Sequence, residues 1–261
     1  MQKQIDEFNK YVSTFDMQIP SIKRKHEHSL MTMGAAGMLA KELKLDIRNQ
    51  FLAQLIGLLH DFARFEQWAK YETFWDKKSF DHGDRACELL FGKGYIKHFA
   101  IPTEYYPAIR FAIKNHNKYE ICTDSIPLCG DFDVLFHAKL IRDADKIAIV
   151  RELINSKGSA ELPGKGELVP GISQGSIDSA NEGRLASKDK AITIADGILA
   201  WMSYVFDLNT QAAKDYFVKN DLVMKLYKSS ESRLFKEDRK TLKELAKQIT
   251  DSLSTRSQSS L

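Results

Sequence analysis

Apolar positions recur at three- and four-residue spacing along most of the chain, which predicts one helix after another. From His28 to Leu43, Met31, Ala35 and Leu39 follow this spacing, and Gly34-x-x-Gly37 predicts a close approach by a neighbouring helix. Asp46 reads as the N-cap of a second helix through Phe51, Leu55, Leu59 and Phe62. A third should begin near Asp81, pass through Leu89-Leu90 and stop at Gly92 and Gly94. Pro107 suits the first turn of a helix carrying Ile109, Ile113 and His116, and another covers roughly Phe132 to Leu153. Successive helices without alternating strands predict an all-α bundle.

The pattern changes after Asn155. Between Gly158 and Gly183 lie six of the 14 glycines and two of the six prolines, with few large apolar residues. This predicts a long Gly-rich loop or flexible insertion at about 155–190, which is either a functional lid or a disordered surface excursion. Helix returns near Ala191 with Trp201, Tyr204, Val205 and Phe206. A second amphipathic stretch holds Phe217, Leu222, Leu226 and Tyr227, and a charged terminal helix follows. These make a C-terminal helical extension at about 191–251, and the serine-rich end from Ser252 should fray. No internal repeat is visible. The expected organisation is a single domain over residues 1–261.

Composition narrows the class. Apolar residues at 43% and charged residues at 28% are the balance of a soluble globular protein. The densest apolar run, Leu55 to Leu59, stops at His60, far short of the ~20 residues of a bilayer span. Early acids and no apolar segment among Met1 to Glu7 argue against a secretory signal, so a cytoplasmic location and no membrane partner are expected. Lys and Arg exceed Asp and Glu by 38 to 35, too small an excess to indicate a nucleic-acid partner. The only local cluster, Lys23-Arg24-Lys25 before His26, is either a solvated helix start or a source of phosphate attraction. Cys87, Cys122 and Cys129 form no Cys-x-x-Cys pair and read as reduced thiols.

The most informative feature is His60-Asp61, delivered by an apolar helix into its own end. Burying such a pair is costly unless something compensates it, and a divalent metal ion would. Neighbouring helix residues point about 100° apart, so imidazole and carboxylate could serve two different ions. The pair has company in order along the chain: His28-Ser29-x-x-Thr32, Asp81-His82-Gly83, Lys114-Asn115-His116-Asn117 and Ile141-Arg142-Asp143-Ala144-Asp145-Lys146.

In this order the chain resembles the HD-domain superfamily of metal-dependent phosphohydrolases from about His26 to Val150, with a metal-site core at about 22–154. The resemblance implies that His28, His60, Asp61 and Asp145 are metal ligands, with His26 the competitor of His28. Asp145 is preferred to Asp143 because the last ligand of the family follows an alanine, here Ala144. Asp143 would orient a ligand histidine through its second nitrogen. His82 and His116 match the extra histidines of members with two metals, where Asp61 would bridge; otherwise they are a helix-cap neighbour and a loop residue. Arg64 is placed to assist catalysis and bind a phosphate oxygen, or to form an ion pair with Glu66, Asp61 or a neighbouring helix. Lys114 and Lys146 are further substrate-binding candidates. Of Phe65, Trp68, Tyr71, Phe74 and Trp75, most should be core, with one or two at the pocket rim to stack on a base.

The implied cofactor is a divalent metal, two ions of manganese, iron, cobalt, nickel or magnesium. The implied activity is hydrolysis of a phosphomonoester or phosphodiester of a nucleotide by metal-activated hydroxide. The implied partner is a small phosphorylated substrate, and the aromatic C-terminal helices leave room for a homo-oligomer. The same ligand set also suits a di-iron oxygenase of the superfamily, and a non-catalytic nucleotide-binding module is the third reading. No P-loop, Gly-x-Ser-x-Gly elbow or Cys-His signature competes.

Overall fold

A computed structural model describes residues 1–156 and 167–258, so the first part of the expected Gly-rich insertion and residues 259–261 lie outside the described residues. The fold is all-α: the described residues form helices and no strand, apart from one isolated bridge between Glu167 and Thr193. They group into two compact units, Met1–Ala148 and Ile149–Leu261, where the sequence reads as a single domain. Among the described residues, no helix is long and apolar enough to cross a membrane.

The first unit is built around one helix that is apolar almost all round, as expected of a fully buried element. In chain order come α1 (Gln2–Val12), α2 (Pro20–Glu42), α3 (Ile47–Leu59) and α4 (Arg64–Tyr71). After a short 3-10 turn at Asp76–Lys78 follow α5 (His82–Cys87), α6 (Tyr106–Asn115) and α7 (Val134–Asn155), within which the division between the units falls. Leu52, Leu55, Leu58 and Leu59 of α3 are wholly buried. Phe8 of α1, Ile22 of α2, Phe62, Phe65 of α4, Ile109 and Ile113 of α6 and Ile141 of α7 belong to the same core. The expected caps are present: the Asp46 carboxylate accepts from the Asn49 amide at 2.8 Å, and that of Asp81 from the Asp84 amide at 2.9 Å. Pro20 opens α2, eight residues ahead of the expected start, because the charged turn Lys23 to Lys25 carries no apolar periodicity. Helices α1 and α4 are present beyond those expected from the apolar pattern, and the third helix turns into a π-helical segment at Glu88–Gly92.

Glycine placement differs from expectation in a way that matters for the site. Gly34 has open space around it, whereas Gly37 is buried against α3, where a Cβ would lie 2.9 Å from Gln54 Cγ, so only the second glycine of the expected pair stands in a contact. The close approach of α2 and α3 is made by Gly57, where a Cβ would lie 2.8 Å from the Met33 Cα. Gly83 plays the same part between α5 and α6, where a Cβ would meet the Ile113 carbonyl oxygen at 2.9 Å. Each of these glycines stands within three residues of a buried histidine.

The second unit holds α8 (Gln174–Asn181), α9 (Ile194–Met202), α10 (Gln211–Lys219), α11 (Leu222–Ser230) and α12 (Lys236–Gln258). All nine residues of α9 are buried, and the apolar face of α12 adds Leu242, Leu245, Ala246 and Ile249. Two expectations are corrected here. The stretch read as loop contains α8, and the second amphipathic stretch is two helices broken at Asp221, whose φ is 50°. Asp196 organises the chain ahead of α8: its carboxylate accepts from the Ser173 amide and hydroxyl and from the Ile192 and Thr193 amides, at 2.8–3.2 Å. Thr193 and Asp196 also form a capping box. The chain end expected to fray from Ser252 is helical to Gln258.

Candidate metal centre

Five helices of the first unit each deliver part of one buried cluster. His28 comes from the third turn of α2, His60 and Asp61 follow directly on α3, and His82 opens α5. His116 ends α6, and Asp145 projects from the middle of α7. The four histidines and Asp61 are buried, and Asp145 is partly so. Four of these side chains, His60, Asp61, His82 and His116, sit at helix ends, where apolar packing against the core gives way to a polar interior.

Asp61 lies at the centre. Its Oδ2 is 3.7 Å from His28 Nε2 and 3.5 Å from His60 Nε2, while its Oδ1 is 3.5 Å from His82 Nε2 and 3.7 Å from His116 Nε2. One carboxylate thus presents a separate oxygen to each of two histidine pairs. Asp145 Oδ1 completes the first group, 3.0 Å from His28 Nε2 and 3.6 Å from His60 Nε2. The donor atoms fall into two sets, His28-His60-Asp61 and Asp61-His82-His116, each within 4.8 Å of one another.

The chemistry of these donors fits metal ions. His60 Nδ1 donates to the Gly57 carbonyl at 2.8 Å, which leaves a lone pair on Nε2, buried and without a hydrogen bond among the described residues. His116 Nδ1 likewise donates to the Ile113 carbonyl at 2.7 Å, and His82 Nδ1 to Asp76 Oδ2 at 2.6 Å. The bare Nε2 atoms of His82 and His116 then face each other at 3.0 Å. Burial, together with the Arg64 charge, pushes the His82 ring down to about 4, so near neutral pH no proton on that ring relieves the lone-pair contact. Burial also lowers His60. A cation held between such rings removes the repulsion, and backbone and carboxylate partners on the far nitrogens are what hold a ligand histidine in one tautomer. Burial alone would raise Asp61, but the Lys25 ammonium and the surrounding imidazoles hold it well below the usual carboxylate range. Asp145 is held low in the same way by His28 and His60 against its own burial.

His26 is excluded from the cluster by its direction: its Nε2 meets Asn9 Oδ1 at 2.7 Å and its ring stacks on Phe8. Arg64 sits against the cluster with Nε 3.4 Å from Asp61 Oδ1, and its Nη1 donates to Gln67, the Phe74 carbonyl and Asp76. Asp143 is fully buried, about 200° around α7 from Asp145. Lys146 is buried and donates to the Arg142 carbonyl at 3.3 Å. Lys114 is exposed and stands about 200° around α6 from His116, so the structure does not bring it to the cluster. Of the aromatic segment, Phe65 is core, whereas Tyr71 and Trp75 are exposed. Phe74 lies beside three cations, those of Arg24, Lys25 and Arg64, at 5.3–5.7 Å from its ring centre.

Two further side chains take part in the cluster without a clear signal in the sequence. Lys25 Nζ lies 2.9 Å from Asp61 Oδ2, and the only sequence signal was the ambiguous basic cluster. Asp76 joins both halves of the polar network, accepting from His82, Arg64, Gln67 and Asn117. Burial would raise its pKa, but the hydrogen bond from His82 and the charges of His82 and Arg64 keep it low.

No curated protein and no solved structure matches the chain. The HD domain family model matches residues 26–149, which contain all six clustered residues and stop within one residue of the first unit's end. Such domains generally mark metal-dependent phosphohydrolases. The ordered histidines and aspartates therefore belong to an HD domain, which spans residues 26–149 of the chain.

Proposed function

We propose that this protein is a metal-dependent phosphohydrolase that cleaves a phosphomonoester or phosphodiester of a nucleotide at a two-metal centre. The observation that carries the reading is the division of labour on Asp61, one oxygen toward His28 and His60 and the other toward His82 and His116. His28, His60, Asp61 and Asp145 would hold one ion, and Asp61, His82 and His116 the other. Divalent ions bound there supply Lewis acidity toward phosphoryl oxygens and lower the pKa of water.

The remaining work falls to the chain's own cations. Lys25, with a side chain only 16% exposed, is held at the cluster by Asp61, and its flexible stem lets the ammonium turn to a phosphate oxygen. Arg64 cannot swing in the same way, because Asp76, Gln67 and the Phe74 carbonyl fix its Nη1. It offers a preorganised charge beside Asp61 that favours a developing negative charge on the phosphoryl group. Phe74 gives the three cations a shared aromatic neighbour beside the site.

The test is product release from a panel of nucleotide monoesters and diesters by manganese-loaded protein under anaerobic conditions, with Asp61→Asn alongside. The expected result is phosphate or phosphomonoester release that falls at least a hundredfold in the variant while its thermal unfolding stays cooperative. Turnover that appears only with iron and dioxygen would move the protein to the oxygenase class. Saturable nucleotide binding without turnover under any metal would make it a binding module. Either result overturns the proposal.

A further inference from the structure

The outer face of α6 carries a feature that neither the metal centre nor the HD fold uses. A cavity of about 510 Å³ opens there, within the size range of small-molecule sites. Phe91, Tyr106 and Phe111 supply its aromatic walls, and Arg110 and Lys114 stand on it one helical turn apart. Neither cation makes an ion pair or a side-chain hydrogen bond among the described residues; Arg110 rests only over the Phe91 ring, 5.8 Å from its centre. Cys122 completes the lining from the loop after α6. The facing directions of Lys114 and His116 keep this cavity apart from the metal centre.

We propose that this cavity is a second ligand site, and that it takes an amphipathic anion: one phosphate or carboxylate head on an apolar body. A fully hydrophilic anion would gain nothing from three aromatic walls. A neutral apolar ligand would cover two cations that have no counter-charge, which is costly. An apolar body against the rings with its head on Arg110 and Lys114 satisfies both, and the planar guanidinium can grip that head with two parallel hydrogen bonds.

The chain provides its own reporter. Cys122 is exposed, whereas Cys87 and Cys129 are buried and their burial pushes both thiols up, Cys87 to about 12. Thiol reagents should therefore modify Cys122 first. The probe is 8-anilinonaphthalene-1-sulfonate, an aromatic body with one anionic head, titrated into the full metal-loaded chain. Saturable fluorescence is expected, together with at least fivefold slower modification of Cys122 by a disulfide reagent at saturation. The Arg110→Gln/Lys114→Gln double variant, altered only at exposed positions, should keep its melting temperature and bind the dye at least tenfold more weakly. Decanoate and adenosine monophosphate are then added as competitors. Displacement by the first assigns an aliphatic carboxylate, and displacement by the second an aromatic phosphate. Dye binding that leaves Cys122 equally reactive, or that the double variant does not weaken, overturns the site. So does dye that neither competitor displaces, since that is binding at dye concentration only.

Discussion

Gly57→Ala puts the geometry of the metal centre to the sharpest test, because the change adds one methyl group and touches no ligand. The new Cβ would sit 2.8 Å from the Met33 Cα, 3.0 Å from its amide nitrogen and 3.0 Å from the Thr32 carbonyl oxygen. All three are backbone atoms of α2, so no side chain can turn away. Ordinary carbon contacts begin near ~3.5 Å, so α2 and α3 must separate by roughly 0.7 Å or more. Overpacking of this kind costs about 1–3 kcal/mol, and a rigid backbone obstacle places it at the upper end. Replacing a helical glycine by alanine returns about 1 kcal/mol, for a net loss of about 2 kcal/mol. In a unit of this size that lowers the melting temperature by about 4–8 °C.

The same displacement pulls His28, on α2, away from His60, at the end of α3, although both face Asp61 Oδ2. Manganese titration by calorimetry should therefore show one site weakened at least tenfold and the other retained, since His82 and His116 ride on α5 and α6. Gly34→Ala is the matched control: it lies on the same helix α2 with nothing within 4 Å, and should raise stability by about 0.5–1 kcal/mol. A Gly57→Ala protein that melts like the parent and binds two equivalents of manganese unchanged would refute the reasoning, as would equal losses at both sites.

Asp76→Asn should weaken the second metal site by about 10–100-fold in the same titration, because it removes the carboxylate that holds His82 Nδ1; unchanged affinity would deny Asp76 that part. His137, buried on α7 with Nε2 on Asn49 Oδ1 at 2.8 Å, predicts a pH dependence of stability. Burial, only partly offset by the Asp133 and Asp46 charges, pushes its ring from 6.5 down to about 4. The unfolded chain then binds the extra proton between those values, so stability is full above pH 6.5 and lost as pH falls toward 4. Denaturant unfolding across that window should show up to about 3 kcal/mol more loss in the parent than in His137→Gln, and parallel curves would contradict the assignment. In the second unit, Asp196→Ala strands the amides of Ser173, Ile192 and Thr193 and should cost about 3–5 kcal/mol. Faster tryptic cleavage at Lys188 or Lys190 would report it, and an unaltered digest would count against it.

A polar residue stands out in sequence when the pattern around it demands an apolar one. His60 and Asp61 end a run of five apolar or small residues, and the helix that carries them is legible from spacing alone. His28, His82, His116 and Asp145 become readable through their order, because each carries a short local context. Asp76 has none: between Trp75 and Lys77-Lys78 it reads as a solvated turn, and only its 2.6 Å contact with His82 gives it meaning. Gly57 is hidden for the opposite reason, since a lone glycine inside an apolar helix looks like a tolerated residue, whereas in the Gly34-x-x-Gly37 spacing only Gly37 meets α3, through the Gln54 side chain. The helix α8 was lost because Ser173 to Ser179 carries weak propensity, and its flank is held by an aspartate far along the chain. The candidate ligands are thus written in local chemistry and the supports in distances between helices. Perturbing a support such as Gly57, which changes spacing and no ligand, therefore tests the site independently of the family resemblance that first suggested it.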